Sequence, residues 1–115
     1  MKAVRVHQFG GTESLTYEDV PVPEPSAGEA RVRLEAIGVN FVDIYQRIGQ
    51  YRGNLPFTLG QEAAGVVDAV GAGVTDLKAG QRVAYTSAMG AYAEYAVVPT
   101  WRLGPIPDEV TSQQA

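Results

Sequence analysis

The sequence predicts a mainly β fold, a partly open β-barrel with one or two short helices. Three observations predict it. Thirteen glycines and seven prolines are spread along the 115 residues and not clustered, which indicates many turns. The segment 29–39, EARVRLEAIGV, alternates small or apolar residues with charged ones, as a half-buried strand does. Turn signals recur at close spacing along the chain, which is typical of barrels built from short strands.

The predicted strands follow one another with short connections. The proline-rich stretch 21–29 is expected to be extended, because proline restricts its own backbone and that of the residue before it. The segment 51–60 is expected to be a loop. About six or seven short strands result. They are 2–8, 14–20, 29–39, 63–71, 81–87 and 90–99, closed by a short segment at 101–107.

One stretch, 40–49, has a helical period instead. Its large apolar residues fall at i, i+3, i+4 and i+7, which places them on one face of a helix. Asn40 is a favoured N-cap, and Asp43 is at the position of a capping-box partner. Gly49 supplies a left-handed stop. The apolar residues are Phe41, Ile44, Tyr45 and Ile48.

Charge and composition exclude several classes of protein. The net charge is −4 with no basic cluster, so a nucleic-acid partner is not expected. The absence of cysteine excludes disulfides, thiolate zinc sites and a cysteine nucleophile. No segment approaches the roughly 20 apolar residues of a membrane span, and the N-terminus does not resemble a signal peptide. We expect a cytoplasmic protein with no membrane partner.

The glycines of 60–74, GQEAAGVVDAVGAGV, do not form a phosphate-binding loop. Gly60, Gly65, Gly71 and Gly73 do not match the spacing G-x-G-x-x-G, and no strand–loop–helix unit surrounds them. Turns, a bulge and close backbone packing account for them. We predict structural glycines.

Four stretches carry a resemblance to a known family: 10–15, 36–51, 59–74 and 77–85. Together they resemble the N-terminal, GroES-like catalytic domain of the medium-chain dehydrogenases/reductases. Within that superfamily they are most similar to the zinc-free quinone oxidoreductase (zeta-crystallin-like) branch, and the similarity extends over essentially the whole chain.

The resemblance implies a domain organisation. Residues 1–115 would be the GroES-like domain of a longer, two-domain reductase, whose Rossmann-type half with the NADPH fingerprint is absent from this sequence. Residues 108–115 are expected to begin the connection, as a helix capped by Asp108 or Thr111. By the same resemblance the full-length protein would be a homodimer, and the 115 residues alone would be inactive.

The resemblance also implies that the catalytic zinc is lost. In the zinc alcohol dehydrogenases of the superfamily, the stretch matching 60–62 reads Gly-His-Glu, and a cysteine lies near the start of the helix. Here Gln61 replaces the histidine and Asn40 lies in the region of the cysteine. We therefore expect no metal, with Glu62 in a structural role.

The same resemblance places the beginning of the helix beside the nicotinamide half of NADPH. The residues assigned to this wall are Asn40, Phe41, Val42, Asp43 and Tyr45. Hydride addition to a quinone or enone leaves an oxyanion, and Asn40, Tyr45 and Tyr51 are neutral hydrogen-bond donors suited to it. Tyr51 also matches the proposed proton donor of related enoyl reductases. Gln61 and Tyr51 are expected to line the substrate pocket.

Several alternatives stay open. Asn40 is equally well explained as a helix cap, and Asp43 is better explained as its partner than as a base. Tyr45 fits a plain core position as well as a donor. The tyrosines of 90–95 fit either the substrate side or strand pairing. The alternative functions are a 2-enoyl-thioester reductase and a stand-alone binding module without catalysis.

Overall fold

A computed structural model describes residues 1–50 and 54–115. In these ranges the chain forms eight strands, one α-helix and two 3-10 turns. None of the described helices is long and apolar enough to cross a membrane. The elements are β1 Lys2–Val6, β2 Leu15–Asp19, β3 Glu29–Gly38, α1 Phe41–Ile48, β4 Phe57–Thr58, β5 Glu62–Val70, β6 Arg82–Thr86, β7 Tyr95–Pro99 and β8 Gly104–Pro105, with 3-10 turns at Thr12–Ser14 and Thr100–Arg102.

The strands form two antiparallel sheets. The smaller sheet has the order β2-β1-β4 and the larger one β7-β3-β5-β6-β8. A single bridge between Ala3 and Ala93 links β1 to the segment before β7. The mainly β class is confirmed. The sheets remain open in the described chain and do not close into a barrel.

The core lies on one face of the larger sheet. The alternation predicted for β3 is confirmed, since Ala30 and Val32 are fully buried. Arg31 points outward and its Nε donates to Asp68 Oδ1 of β5 over 2.8 Å. Buried residues of the neighbouring strands complete the core. They include Val67, Val83, Ala96 and Val98.

Two of the glycines of 60–74, Gly65 and Gly71, allow close approach of the backbone, as predicted. A Cβ on Gly65 would lie 2.0 Å from the carbonyl oxygen of Arg33 on the paired strand. A Cβ on Gly71 would lie 1.8 Å from the carbonyl oxygen of Ser26. Irregularities in the β3–β5 register between Arg31 and Val32 and between Leu34 and Ala36 bend this pair.

The last predicted strand begins later than its sequence pattern indicated. The alternation starts at residue 90, but β7 starts at Tyr95. The segment before it bonds elsewhere, because the amides of Gly90 and Ala91 both donate to the carbonyl oxygen of Gly60. Gly90 has φ +111, outside the strand region.

The segment 108–115 forms turns in place of the predicted helix. Of the two predicted caps, Thr111 makes the capping bonds. Its Oγ1 accepts from the amide of Gln114 over 3.1 Å, and its own amide donates to Gln114 Oε1 over 3.0 Å. This reciprocal pair is the capping-box arrangement of a helix N-terminus.

Candidate functional site

The N-terminus of α1 is fixed by a capping box, as the sequence predicts. Asn40 is extended, with φ −128 and ψ 156, and the amide of Asn40 donates to Asp43 Oδ2 over 3.0 Å. A backbone hydrogen bond from the amide of Asp43 to the carbonyl oxygen of Asn40, also over 3.0 Å, closes the first turn of the helix. Gly49 ends the helix in the left-handed region, with φ +88. The predicted cap roles of Asn40, Asp43 and Gly49 are confirmed.

The apolar face of α1 is the exposed one. Phe41 is 77% exposed and Ile48 is 47% exposed, and Ile44 and Tyr45 are 38% exposed. Tyr45 is therefore not a core residue. The two buried side chains of the helix are polar: Asp43 and Gln46. The helix thus faces the sheets with polar groups and leaves its apolar face to solvent.

A tyrosine that the sequence left undecided accounts for the burial of Asp43. Tyr92 Oη donates to Asp43 Oδ2 over 2.6 Å, so this one oxygen accepts two hydrogen bonds. Burial, and then the hydrogen bond to the carboxylate, raises the pKa of Tyr92 well above its ordinary value. Tyr92 therefore remains a protonated donor at neutral pH, and Asp43 is an acceptor in a structural network.

Gly60 makes room for Tyr92. A Cβ on Gly60 would lie 2.3 Å from Tyr92 Cδ1, so there is no space for a side chain. Gly60 also has φ +95, a backbone conformation that favours glycine. The amide of Tyr92 donates to the carbonyl oxygen of Leu59 over 2.8 Å. The connection 59–61 between β4 and β5 is thus joined to α1 through Tyr92, which lies about thirty residues further along the chain.

The Gln61–Glu62 pair begins β5. Gln61 is half-buried and precedes the strand, and Glu62 is exposed and pairs with Gly38 and with Thr86. A Cβ on Gly38 would lie 1.8 Å from Glu62 Oε1, so the carboxylate rests against the Gly38 backbone. Glu62 lines a cavity of about 490 Å³.

Tyr85 also lines this cavity and has a buried hydroxyl without a hydrogen-bond partner in the described chain. Burial raises the pKa of Tyr85 to about 12. No sequence signal marks this hydroxyl, because Tyr85 lies in the segment 81–87, which is predicted to be an ordinary strand.

The structure brings together five of the predicted site residues at the beginning of α1. They are Asn40, Phe41, Val42, Asp43 and Tyr45. Gln61 lies outside this group and directly follows Gly60, the residue that makes room for Tyr92. Tyr51, the predicted proton donor, lies outside the described residues.

No group of three or more potential metal ligands is clustered in the residues the structure describes. The single histidine, His7, follows β1, and its Nε2 lies 2.5 Å from Glu18 Oε1 of β2. This pair is on the smaller sheet, whereas Gln61 borders β5 of the larger one.

Comparison with known proteins defines the family. The model of the alcohol dehydrogenase GroES-like domain matches residues 26–108. The chain belongs to the alcohol dehydrogenase GroES-like domain family. Its resemblance to the quinone oxidoreductase branch of the medium-chain dehydrogenases/reductases is confirmed.

Three similar proteins illustrate the relationship. A quinone oxidoreductase of Pseudomonas aeruginosa is 46% identical over an alignment of 116 residues, which covers 99% of this chain and 36% of that protein. The crystal structure of an Escherichia coli quinone oxidoreductase complexed with NADPH superposes with a TM-score of 0.97 at 38% identity, covering 100% of this chain and 36% of the other. A 2-haloacrylate reductase from a Burkholderia species is 39% identical, over 94% of this chain and 34% of that protein. This chain therefore spans about a third of the length of these relatives.

Proposed function

We propose that this chain is the GroES-like catalytic domain of an NADPH-dependent quinone reductase that works without zinc. Residues 1–115 form one domain, and the nucleotide-binding Rossmann domain belongs to the rest of a longer, homodimeric protein. The observation that carries the proposal is the exposed apolar face of α1, which begins at the capped Asn40. An apolar helical face in solvent is typical of a surface that binds something.

The residues at the beginning of α1 fit the nicotinamide half of NADPH. Phe41 is 77% exposed and Val39 is 80% exposed, and they offer an apolar surface to a flat ring. Asn40 is half-buried beside them and carries an amide that donates and accepts. When bound, NADPH supplies the hydride, which is the demanding part of the chemistry.

The protein's own contribution is to orient the reactants and to stabilise negative charge. Reduction of a quinone or enone leaves a phenolate or enolate oxygen, which needs preorganised hydrogen-bond donors. We assign this role to Asn40, Tyr45 and Tyr51. Asn40 and Tyr45 hold the developing oxyanion, and the positive end of α1 supports them. Tyr51 delivers the proton, and Gln61 with Tyr51 borders the substrate.

The proposed independence from zinc rests on the ligands this chain offers. A catalytic zinc site needs three protein ligands drawn from thiolate, imidazole and carboxylate groups, with one open position. The sequence has no cysteine and one histidine, and His7 is already paired with Glu18. Gln61 carries an amide, which is a weak zinc ligand.

The test uses the full-length protein that contains this domain. NADPH oxidation is followed with a benzoquinone in wild-type protein and in Asn40→Ala and Tyr51→Phe variants, with Tyr95→Phe as the matched control. We expect kcat to fall about 10- to 100-fold in both variants, because each removes one donor to the oxyanion. The control is expected to be unchanged. Full activity in Asn40→Ala, or loss of activity on dialysis against a zinc chelator, would contradict the proposal.

A second candidate keeps the chemistry and changes the substrate. The 2-haloacrylate reductase relative has a name that specifies an α,β-unsaturated acid, which supports an enone or 2-enoyl-thioester substrate. Comparing kcat/KM for a crotonyl thioester with that for a benzoquinone separates the two. If the thioester is preferred and Tyr51→Phe impairs its reduction most, the enoyl reductase is the correct assignment.

A further inference from the structure

We propose that Tyr92 is a positioning residue that acts through Asp43 to hold Asn40 and the beginning of α1 in place. The pair Tyr92–Asp43 connects the helix to the sheets at its catalytic end. The consequence for turnover rests on the proposed function, whereas the consequence for the Asn40 backbone does not.

The pair has the geometry of a strong, charge-assisted hydrogen bond. Tyr92 Oη lies 2.6 Å from Asp43 Oδ2, and Asp43 is 2% exposed. Hydrogen bonds to an ionised carboxylate are shorter and stronger than neutral ones. The same Oδ2 accepts from the amide of Asn40, so the oxygen that Tyr92 holds is the one that holds Asn40. The other carboxylate oxygen, Oδ1, is buried without a partner in the described part of the chain.

Tyr92 is itself fixed by its surroundings. Its amide donates to Leu59, and its carbonyl oxygen accepts from the amide of Val4 on β1, both over 2.8 Å. The ring fills the space that a side chain on Gly60 would need. Tyr92 is thus bound to the smaller sheet and to the 59–61 connection before it reaches α1.

The other end of the helix is attached to a different segment of the chain. Its C-terminal end is held by Arg47, whose carbonyl oxygen and Nε bond the amide and the carbonyl oxygen of Gly10 over 3.0 and 3.2 Å. At the N-terminal end, the bond between Tyr92 and Asp43 joins the first turn of the helix to the segment before β7.

The first experiment measures backbone hydrogen exchange in the 115-residue chain. In Tyr92→Phe we expect the Asn40 amide to exchange about tenfold faster, because its acceptor is no longer held. Amides paired between β3 and β5 should keep their wild-type rates. The matched control is Tyr95→Phe, whose ring contacts the Arg31 guanidinium; it should leave Asn40 unchanged. Unchanged exchange at Asn40 in Tyr92→Phe would overturn the proposal.

If Tyr92→Phe does not fold, Asp43→Asn takes its place. Asparagine keeps an oxygen that both donors can reach but removes the charge, so a smaller acceleration at Asn40, about threefold, is expected from the weaker neutral bond. If the Asn40 amide exchanges at the same rate in Asp43→Asn as in the wild type, the proposal is again overturned.

The second experiment is a double-mutant cycle on kcat of the full-length protein with NADPH and a benzoquinone. Tyr92→Phe alone should lower kcat about tenfold, with the KM for NADPH changed far less. Added to Asn40→Ala, it should lower kcat little further, because Tyr92 acts through Asn40. A purely structural role would make the two losses multiply, and that result would overturn the proposal. If Asn40→Ala has no effect while the exchange result holds, the proposed function fails and the positioning of Asn40 by Tyr92 stands.

Discussion

Replacing Tyr85 with phenylalanine is expected to stabilise the domain. Tyr85 is 5% exposed, and its hydroxyl is buried with no partner in the residues the structure describes. Leaving a hydroxyl without a partner in the interior costs about 1–3 kcal/mol. Phenylalanine keeps the buried ring and removes only the oxygen. The free energy of unfolding should therefore rise by about 1–2 kcal/mol at neutral pH.

The pH dependence gives an independent check on the same residue. Burial raises the pKa of Tyr85 to about 12 from its ordinary value of 10.0, so the folded state holds the phenolic proton more tightly than the unfolded state does. The corresponding stability is fully present below pH 10 and is lost as the pH rises towards about 12. At about 1.4 kcal/mol per unit, the loss amounts to roughly 2–3 kcal/mol. Tyr85→Phe removes this loss.

The assay is urea unfolding of the wild type, Tyr85→Phe and the control Tyr95→Phe at neutral pH and in steps from pH 9.5 to 11.5. The control corrects for the loss of one tyrosine from the spectroscopic signal. The gap between Tyr85→Phe and wild type should widen as the pH rises above 10. A variant that is less stable than wild type by 1 kcal/mol or more at neutral pH would refute the reasoning, because it would mean that the hydroxyl has a partner. A gap that narrows with rising pH would refute the assignment of the raised pKa.

Two further predictions concern the backbone and the extent of the cofactor site. Gly65→Ala should destabilise the chain by about 2 kcal/mol or more, because the new Cβ meets the Arg33 carbonyl oxygen at 2.0 Å and must push β3 away from β5. Thermal unfolding measures the loss. The control is Gly104→Ala, whose Cβ would have open space apart from one contact at 3.8 Å. A larger loss of stability in Gly104→Ala than in Gly65→Ala would contradict the packing described for β3 and β5. The 115-residue chain alone should not oxidise NADPH with a quinone above the buffer rate, since most of the nucleotide site is assigned to another domain; turnover by the isolated chain, followed as loss of NADPH absorbance, would show that the chain holds a complete cofactor site.

Local signals in the sequence predicted the local structure well. The period of two in β3 depends on residues that are adjacent in the chain, and it is confirmed by the burial of Ala30 and Val32. The capping box of α1 spans four residues, from Asn40 to Asp43, so one short stretch of sequence contains both of its partners. The glycine stop of the helix is equally local.

The orientation of α1 could not be predicted in this way. A helical apolar period usually marks the face that packs on the core, and here that face is in solvent. The reason is a contact between Asp43 and Tyr92, 49 residues apart in the chain, which turns the polar side of the helix inward. Long-range bonding also explains why β7 begins at a later residue than predicted, because the amides of Gly90 and Ala91 donate to the Gly60 carbonyl oxygen and not to a neighbouring strand. Sequence periodicity contains no information on such pairs.

The orientation of α1, with its apolar face outward, connects the fold to the proposed chemistry. Most of the buried apolar residues lie in or beside the strands, so the stability of the domain comes mainly from the sheets. The helix can therefore leave Phe41 and Ile48 in solvent without loss of core packing. The buried hydrogen bond between Tyr92 and Asp43 then fixes the helix in place of the usual hydrophobic contact. Directional hydrogen bonds define an orientation more closely than apolar contacts do. A surface that must present Asn40 to a reacting carbonyl needs that directionality, because catalysis by positioning is sensitive to displacements of about 1 Å.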